Sequence, residues 1–247
     1  MNNPIFDHLL IAAIVLLTII LFAIFRKHIR LLIIRIFHGK YSYKHYDSHR
    51  RIFFKNPLPQ SIKDDFINHV LDFFQPPANI QSFQTNIPIA YLEFPFDSSL
   101  KALLRKRGKP SHLSMNKSGP DEIKILGYPE YLFNTDARSY YYFMNDVFFM
   151  GEYYFPEISK TLPSEIAGLL SEKYNITGSN GKHDFFIDNP SGYSIQYKNT
   201  GFSIMIRYFS RADQNVLQQV SDCISRITEV GLKNKDLEML NNWKTYL

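Results

Sequence analysis

Cys223 is the single cysteine in 247 residues, so no intrachain disulfide framework holds this chain together, as expected of a domain in a reducing compartment. Residues 1 to 8 (MNNPIFDH) have no lysine or arginine, and the run after them, Leu9 to Phe25 (LLIAAIVLLTIILFAIF), has no charge, no glycine and no proline. A cleaved signal peptide needs a basic start, a shorter apolar core and a small-x-small cleavage site. The sequence has none of these, because Phe25 leads directly into Arg26-Lys27. Nucleotide and catalytic motifs are missing too. Gly108-Lys109-Pro110 and Gly178 to Lys182 lack phosphate-loop spacing, and Ser164-Glu165 lacks the Gly-x-Ser-x-Gly context of a nucleophile elbow. His183-Asp184 are neighbours in a strand and point to opposite faces. His38, His45 and His49 match no usual metal-ligand spacing. No catalytic residue, metal or cofactor is therefore assigned.

The apolar run approaches the roughly 20 residues that a helix needs to cross a bilayer, and the sequence predicts a transmembrane helix over 9–25 with a short outer N-terminus, 1–8. Orientation follows from charge. Residues 26 to 55 hold nine Lys or Arg against one acid, Asp47, a surplus of eight where the whole chain has five. The rest of the chain is slightly acidic, so the basic pI belongs to a juxtamembrane strip rather than to a nucleic-acid surface. The positive-inside rule then puts the C-terminal bulk in the cytoplasm of a single-pass cell-membrane protein. Arg26, Lys27, Arg30 and Arg35 are the expected contacts with an anionic lipid surface, within a connector over 26–60.

The predicted fold class is α+β. A soluble domain over 61–247 is expected to open with a helix from Ser61 to Phe74, followed by a strand at 89–94 (IAYLEF). Two similar cassettes follow, over about 97–155 and 162–210, each a helix and three antiparallel strands. The first has a helix from Ser98 to Lys106 capped by Asp97, then strands at 122–127, 138–144 and 147–155. The second has a helix from Leu162 to Lys173 with Pro163 in its first turn, then strands at 183–188, 193–198 and 202–209. C-terminal helices over 213–247 complete the domain, with Cys223 on the apolar stripe of the one spanning Asp213 to Glu229, and a short terminal helix or partner-binding tail over 235–247.

Register can be worked on paper, since residues paired across an antiparallel ladder share a face. A two-residue loop at Thr200-Gly201 pairs Tyr197 with Ile204 and leaves Gln196, Met205, Ser194 and Arg207 on a wet face. A turn at Asn145-Asp146 puts Tyr141 and Phe143 on one face and Tyr142 and Phe149 on the other, both apolar. A face left uncovered would be a contact surface, so these four residues are the candidate protein contacts. The resulting expectation is a membrane-anchored module that binds a protein or peptide, with the bilayer as a second partner, no nucleic acid, and homo-oligomerisation left open. The alternatives are a membrane-anchored enzyme with an unrecognised site and, if the orientation is reversed, an envelope-facing binding module.

Overall fold

The computed structural model describes residues 4–53, 80–157, 159, 161–179 and 181–226, in two compact units, 1–57 and 58–247. In the first unit α1 (Pro4–His38) is one helix of 35 residues. Gly39 ends it at a φ of +82°, a conformation open to glycine at little cost, and its N–H closes on the Arg35 carbonyl at 2.9 Å. Ser42 Oγ then accepts from His45 N at 3.2 Å and starts α2 (Tyr43–Phe53).

The expected transmembrane helix is corrected here. Among the described residues no helix is long and apolar enough to cross a membrane. The chain does not break at Phe25, because α1 continues to His38 and carries Arg26, Lys27, Arg30 and Arg35 between its apolar residues. The first part of the expected connector therefore belongs to the same helix as the apolar run.

The second unit is built on one sheet. Its elements in chain order are β1 (Gln81–Gln84), α3 (Leu100–Arg107), β2 (His112–Ser118), β3 (Asp121–Leu132), β4 (Thr135–Met144), β5 (Val147–Phe155), α4 (Leu162–Tyr174), β6 (Phe185–Asp188), β7 (Tyr193–Asn199), β8 (Ile204–Ser210) and a helix, α5, described over 214–226. The strand order is β1-β6-β7-β8-β5-β4-β3-β2, and every pairing is antiparallel except β1 with β6. The two expected cassettes are thus not separate meanders. Their last strands, β5 and β8, pair through Tyr153↔Ile206 and fuse them into a single eight-stranded mixed sheet.

Local elements differ as well. β1 and β2 are strands in segments where the sequence predicts none, whereas 89–94, expected as a strand, is a tight turn: Leu92 and Glu93 sit at φ of 49° and 53°, and Phe94 N donates to the Tyr91 carbonyl at 2.8 Å. The cap of α3 is Ser99, whose Oγ accepts from Ala102 N at 3.3 Å, rather than Asp97. The helix expected over Ser61–Phe74 and the tail over 235–247 lie outside the described residues.

Both hairpin registers carry a correction. The β4–β5 turn has Asn145 and Asp146 at φ of 49° and 67°, the geometry of a two-residue hairpin loop. Met144↔Val147 and Phe143↔Phe148 pair as expected, but a bulge then sets Tyr142 opposite Met150 instead of Phe149. The β7–β8 loop has four residues, Thr200 to Ser203, closed by Thr200 N on the Ser203 carbonyl at 3.0 Å. Tyr197 therefore meets Ile206, two positions from the expected partner. A shift of two preserves the faces.

Each sheet face is covered by the same chain. On one, the turn at 91–94 and Phe96 bring aromatic rings onto the strands, with Phe96 stacked on Phe148 at 5.3 Å and Tyr91 edge-on to Tyr141 at 5.1 Å and tilted against Tyr208 at 5.4 Å. Gly151 makes room for this, since a Cβ there would lie 2.2 Å from Tyr91 Cδ1. On the other face Val220, Cys223 and Ile224 of α5 pack with Ile123, Ile125, Tyr142, Phe149 and Phe209. Asp213 Oδ1 caps α5 by accepting from Asn215 N at 2.9 Å and Val216 N at 3.2 Å.

Candidate functional site

The hairpin proposed as a contact surface lies inside the domain. Tyr141, Tyr142, Phe143 and Phe149 are 1%, 1%, 0% and 2% exposed. Their division between faces is as the alternation implies, yet each face meets its own cover: Tyr141 lies against Tyr91 and Phe94, and Tyr142 and Phe149 lie under α5. These four side chains belong to the core of the domain. Burial pushes the Tyr141 phenol up to about 12, while burial followed by the neighbouring Glu152 charge holds Tyr142 protonated well above its ordinary range.

Below Tyr142 is a buried polar centre that the sequence reading placed on a wet face. Arg207 Nε donates to Glu152 Oε2 at 2.6 Å, its Nη1 to Gln196 Oε1 at 3.0 Å and its Nη2 to Met205 Sδ at 3.2 Å. The Tyr142 hydroxyl donates to the other Glu152 oxygen at 3.3 Å. Arg207 has no exposed surface. The cause is the four-residue loop, which brings Gln196 opposite Arg207, while the β5–β8 pairing brings Glu152 opposite Arg207 from the other side. Both carboxylate oxygens and three guanidinium nitrogens have partners, so the centre is built to hold three strands together rather than to receive a substrate. Burying a charge is tolerable only with such pairing.

Other sequence candidates have structural roles. Asp184 Oδ1 accepts from Asn199 N at 2.8 Å and fixes the end of β7. His45 and His49 rings lie 6.4 Å apart, and no group of metal-ligating side chains occurs among the described residues. Burial is the main reason the His45 pKa is lowered, helped by the charge of His49. Cys223 is buried, and burial raises its thiol pKa.

Arg26, Lys27, Arg30 and Arg35 are all exposed on α1. They share its surface with exposed large apolar side chains, among them Leu16, Leu17, Phe22, Phe25, Leu32 and Phe37. On α2, Arg50 and Arg51 both reach Asp47, at 3.3 and 2.7 Å.

Among the described residues, two features of the sheet domain are open to solvent. The first is β1, an outer strand of the sheet, whose Gln81, Ser82 and Gln84 are exposed. Thr85 N donates to the Asp188 carbonyl at 2.9 Å, so by alternation the main chain of Gln81 and Phe83 faces β6 while that of Ser82 and Gln84 faces outward. The other outer strand, β2, is closed over Leu113, Ser114 and Met115. The second is the end of the sheet at which β3 turns into β4, β5 finishes and β8 starts. Tyr131, Phe133 and Phe202 are 69%, 42% and 85% exposed there. The sequence held no signal separating these rings from the many aromatics of the core. No family model, curated protein or solved structure matches the chain.

Proposed function

We propose that this protein is a binding module held at the cytoplasmic face of a cell membrane, and that its sheet domain takes up an extended segment of another protein along β1. The observation that carries this reading is the open outer strand, whose exposed residues are uncharged (Gln81, Ser82, Gln84) and whose outward main-chain groups sit at Ser82 and Gln84. Sheet edges are commonly protected by charge, proline or a covering element, and an unprotected edge supplies the donors and acceptors for adding a strand. The exposed apolar and basic side chains of α1 support the membrane half of the reading, through hydrophobic contact and attraction to anionic headgroups.

The test is selection of peptides from a random display library on the full chain in lipid nanodiscs, compared with Gln84→Pro. Proline there removes an outward N–H without touching the bond to β6. Retained peptides should bind the parent chain and lose at least tenfold in affinity for the variant at unchanged melting temperature. Equal binding to both chains, or no peptide retained above bare nanodiscs, contradicts the edge as the binding surface.

A further inference from the structure

Among the described residues, the exposed aromatics of the sheet domain gather at one of its ends. Phe133 stands at the tip of the β3–β4 hairpin, where Phe133 and Asn134 take φ of 52° and 55°. It keeps one side against Phe155, with ring centroids 6.0 Å apart. Tyr131 is two residues before it, opposite Asp136 on β4. Phe202 tops the β7–β8 loop, and the pairings Arg138↔Tyr154, Phe155↔Ile204 and Asn199↔Ile204 place both loops at the same end of the sheet. β1 runs parallel to β6, and Phe185 pairs with Tyr197 near the end of β7. The chain therefore enters the sheet, at Gln81, at this same end. The opposite end, with the turns at 145–146 and 189–192, carries no comparable ring among the described residues.

We infer that Tyr131, Phe133 and Phe202 form a contact with the lipid bilayer, seated in its headgroup region. Aromatic side chains favour this zone because an apolar ring can leave water there while nearby polar groups stay hydrated. Asp136 and Glu157, both exposed at this end, and the Tyr131 hydroxyl would remain in the hydrated layer. Two observations favour lipid over a protein partner. Phe133 and Phe202 crown loop tips, with Tyr131 two residues before the first, and the sheet domain, which follows the exposed apolar and basic helix in sequence, takes in its chain at this end, at Gln81. This inference rests on the membrane-held reading and adds a second attachment to it.

The experiment uses the full chain with Trp243, the only tryptophan, replaced by Phe. One variant carries Phe202→Trp and a control carries Ser191→Trp at the opposite end. Each is reconstituted in phosphatidylcholine–phosphatidylglycerol vesicles with and without brominated acyl chains. The inference expects tryptophan at 202 to shift to the blue and lose about half its emission to the bromines, while tryptophan at 191 loses little. If Trp243→Phe does not fold, Phe202→Cys coupled to bimane gives the same readout, since Cys223 is buried. Equal quenching at 202 and 191 in chains that float with vesicles overturns the inference and leaves the membrane-held reading standing. A blue shift at 202 without bromine quenching also overturns it, since the ring is then covered by protein. A chain that does not float with vesicles at all removes the membrane-held reading, and this inference with it.

Discussion

Replacing Arg207 with Met keeps most of the side-chain volume but removes the donors to Glu152, Gln196 and Met205. Glu152, 2% exposed, is then a buried carboxylate whose only remaining side-chain donor is the Tyr142 hydroxyl. Breaking a buried pair in this way costs about 3–5 kcal/mol, a large share of the roughly 5–15 kcal/mol that stabilises a folded chain. At about 2–4 °C per kcal/mol for a domain of this size, the melting temperature should fall by roughly 6–20 °C. Glu152→Gln should cost a similar amount for the reciprocal reason, as it strands the guanidinium. The double variant should be more stable than the sum of the two by about 1–3 kcal/mol, since it leaves no unpaired charge behind. Near-ultraviolet circular dichroism followed through urea titration, on all four chains under one condition, measures the cycle. A loss below about 1 kcal/mol for Arg207→Met, or strictly additive single effects, would refute the claim that a buried ion pair joins β5 and β8.

Gly151→Ala should cost at least about 1–3 kcal/mol by overpacking, because the ring it meets is buried and the Tyr91 hydroxyl is tied to the Glu152 carbonyl at 2.8 Å; thermal melts read this directly, and an unchanged melt contradicts the packing. Burial raises Tyr141 and Tyr174 to about 12, and it also holds Tyr91, Tyr142 and Tyr208 well above the ordinary phenol value. Below the ordinary phenol value of about 10 both states keep these protons and stability is unaffected; as pH rises from about 10 towards 12 the unfolded chain ionises first, so stability should fall across that window. Absorbance at about 295 nm should show delayed tyrosine ionisation that is released on alkaline unfolding, whereas a titration in which all tyrosines ionise near 10 in the folded chain contradicts the burial. Cys223 should resist maleimide until denaturant is added, and prompt labelling of the native chain would show that α5 does not cover the sheet.

Legibility in the sequence followed the strength of local signals. β5 begins and ends where the aromatic run 147–155 does, because an Asn-Asp turn fixes its start and Pro156 follows its last residue. α4 was readable from Pro163 in its first turn. β1 was not, since QSFQ has no apolar alternation and becomes a strand only by pairing with β6, about a hundred residues later. The segment 89–94 reads as a strand by composition, yet the Tyr91 ring must reach over Gly151, and the chain turns through Leu92 and Glu93 to allow it. The buried Arg207 was misread because its surroundings depend on a loop length and on the joining of β5 to β8, neither of which alternation can supply. The burial of the candidate contact residues was hidden for a related reason: the pattern shows that both faces of the hairpin are apolar, but not that α5 and residues 91–96 cover them. Phe202 was read as strand, and only the four-residue loop exposes it.

The claim that the N-terminal helices hold the protein on an anionic bilayer is tested most directly by flotation of the purified full chain with vesicles. Parent chain and a variant with Arg26, Lys27, Arg30 and Arg35 changed to Gln are compared on neutral and phosphatidylglycerol-containing membranes. Each basic residue near such a surface contributes up to about 1 kcal/mol. The parent should therefore float with both membranes and resist salt extraction better on the anionic one, a preference that the variant should lose by up to about a thousandfold in partitioning. A parent chain that stays at the bottom of the gradient with both compositions would contradict the account.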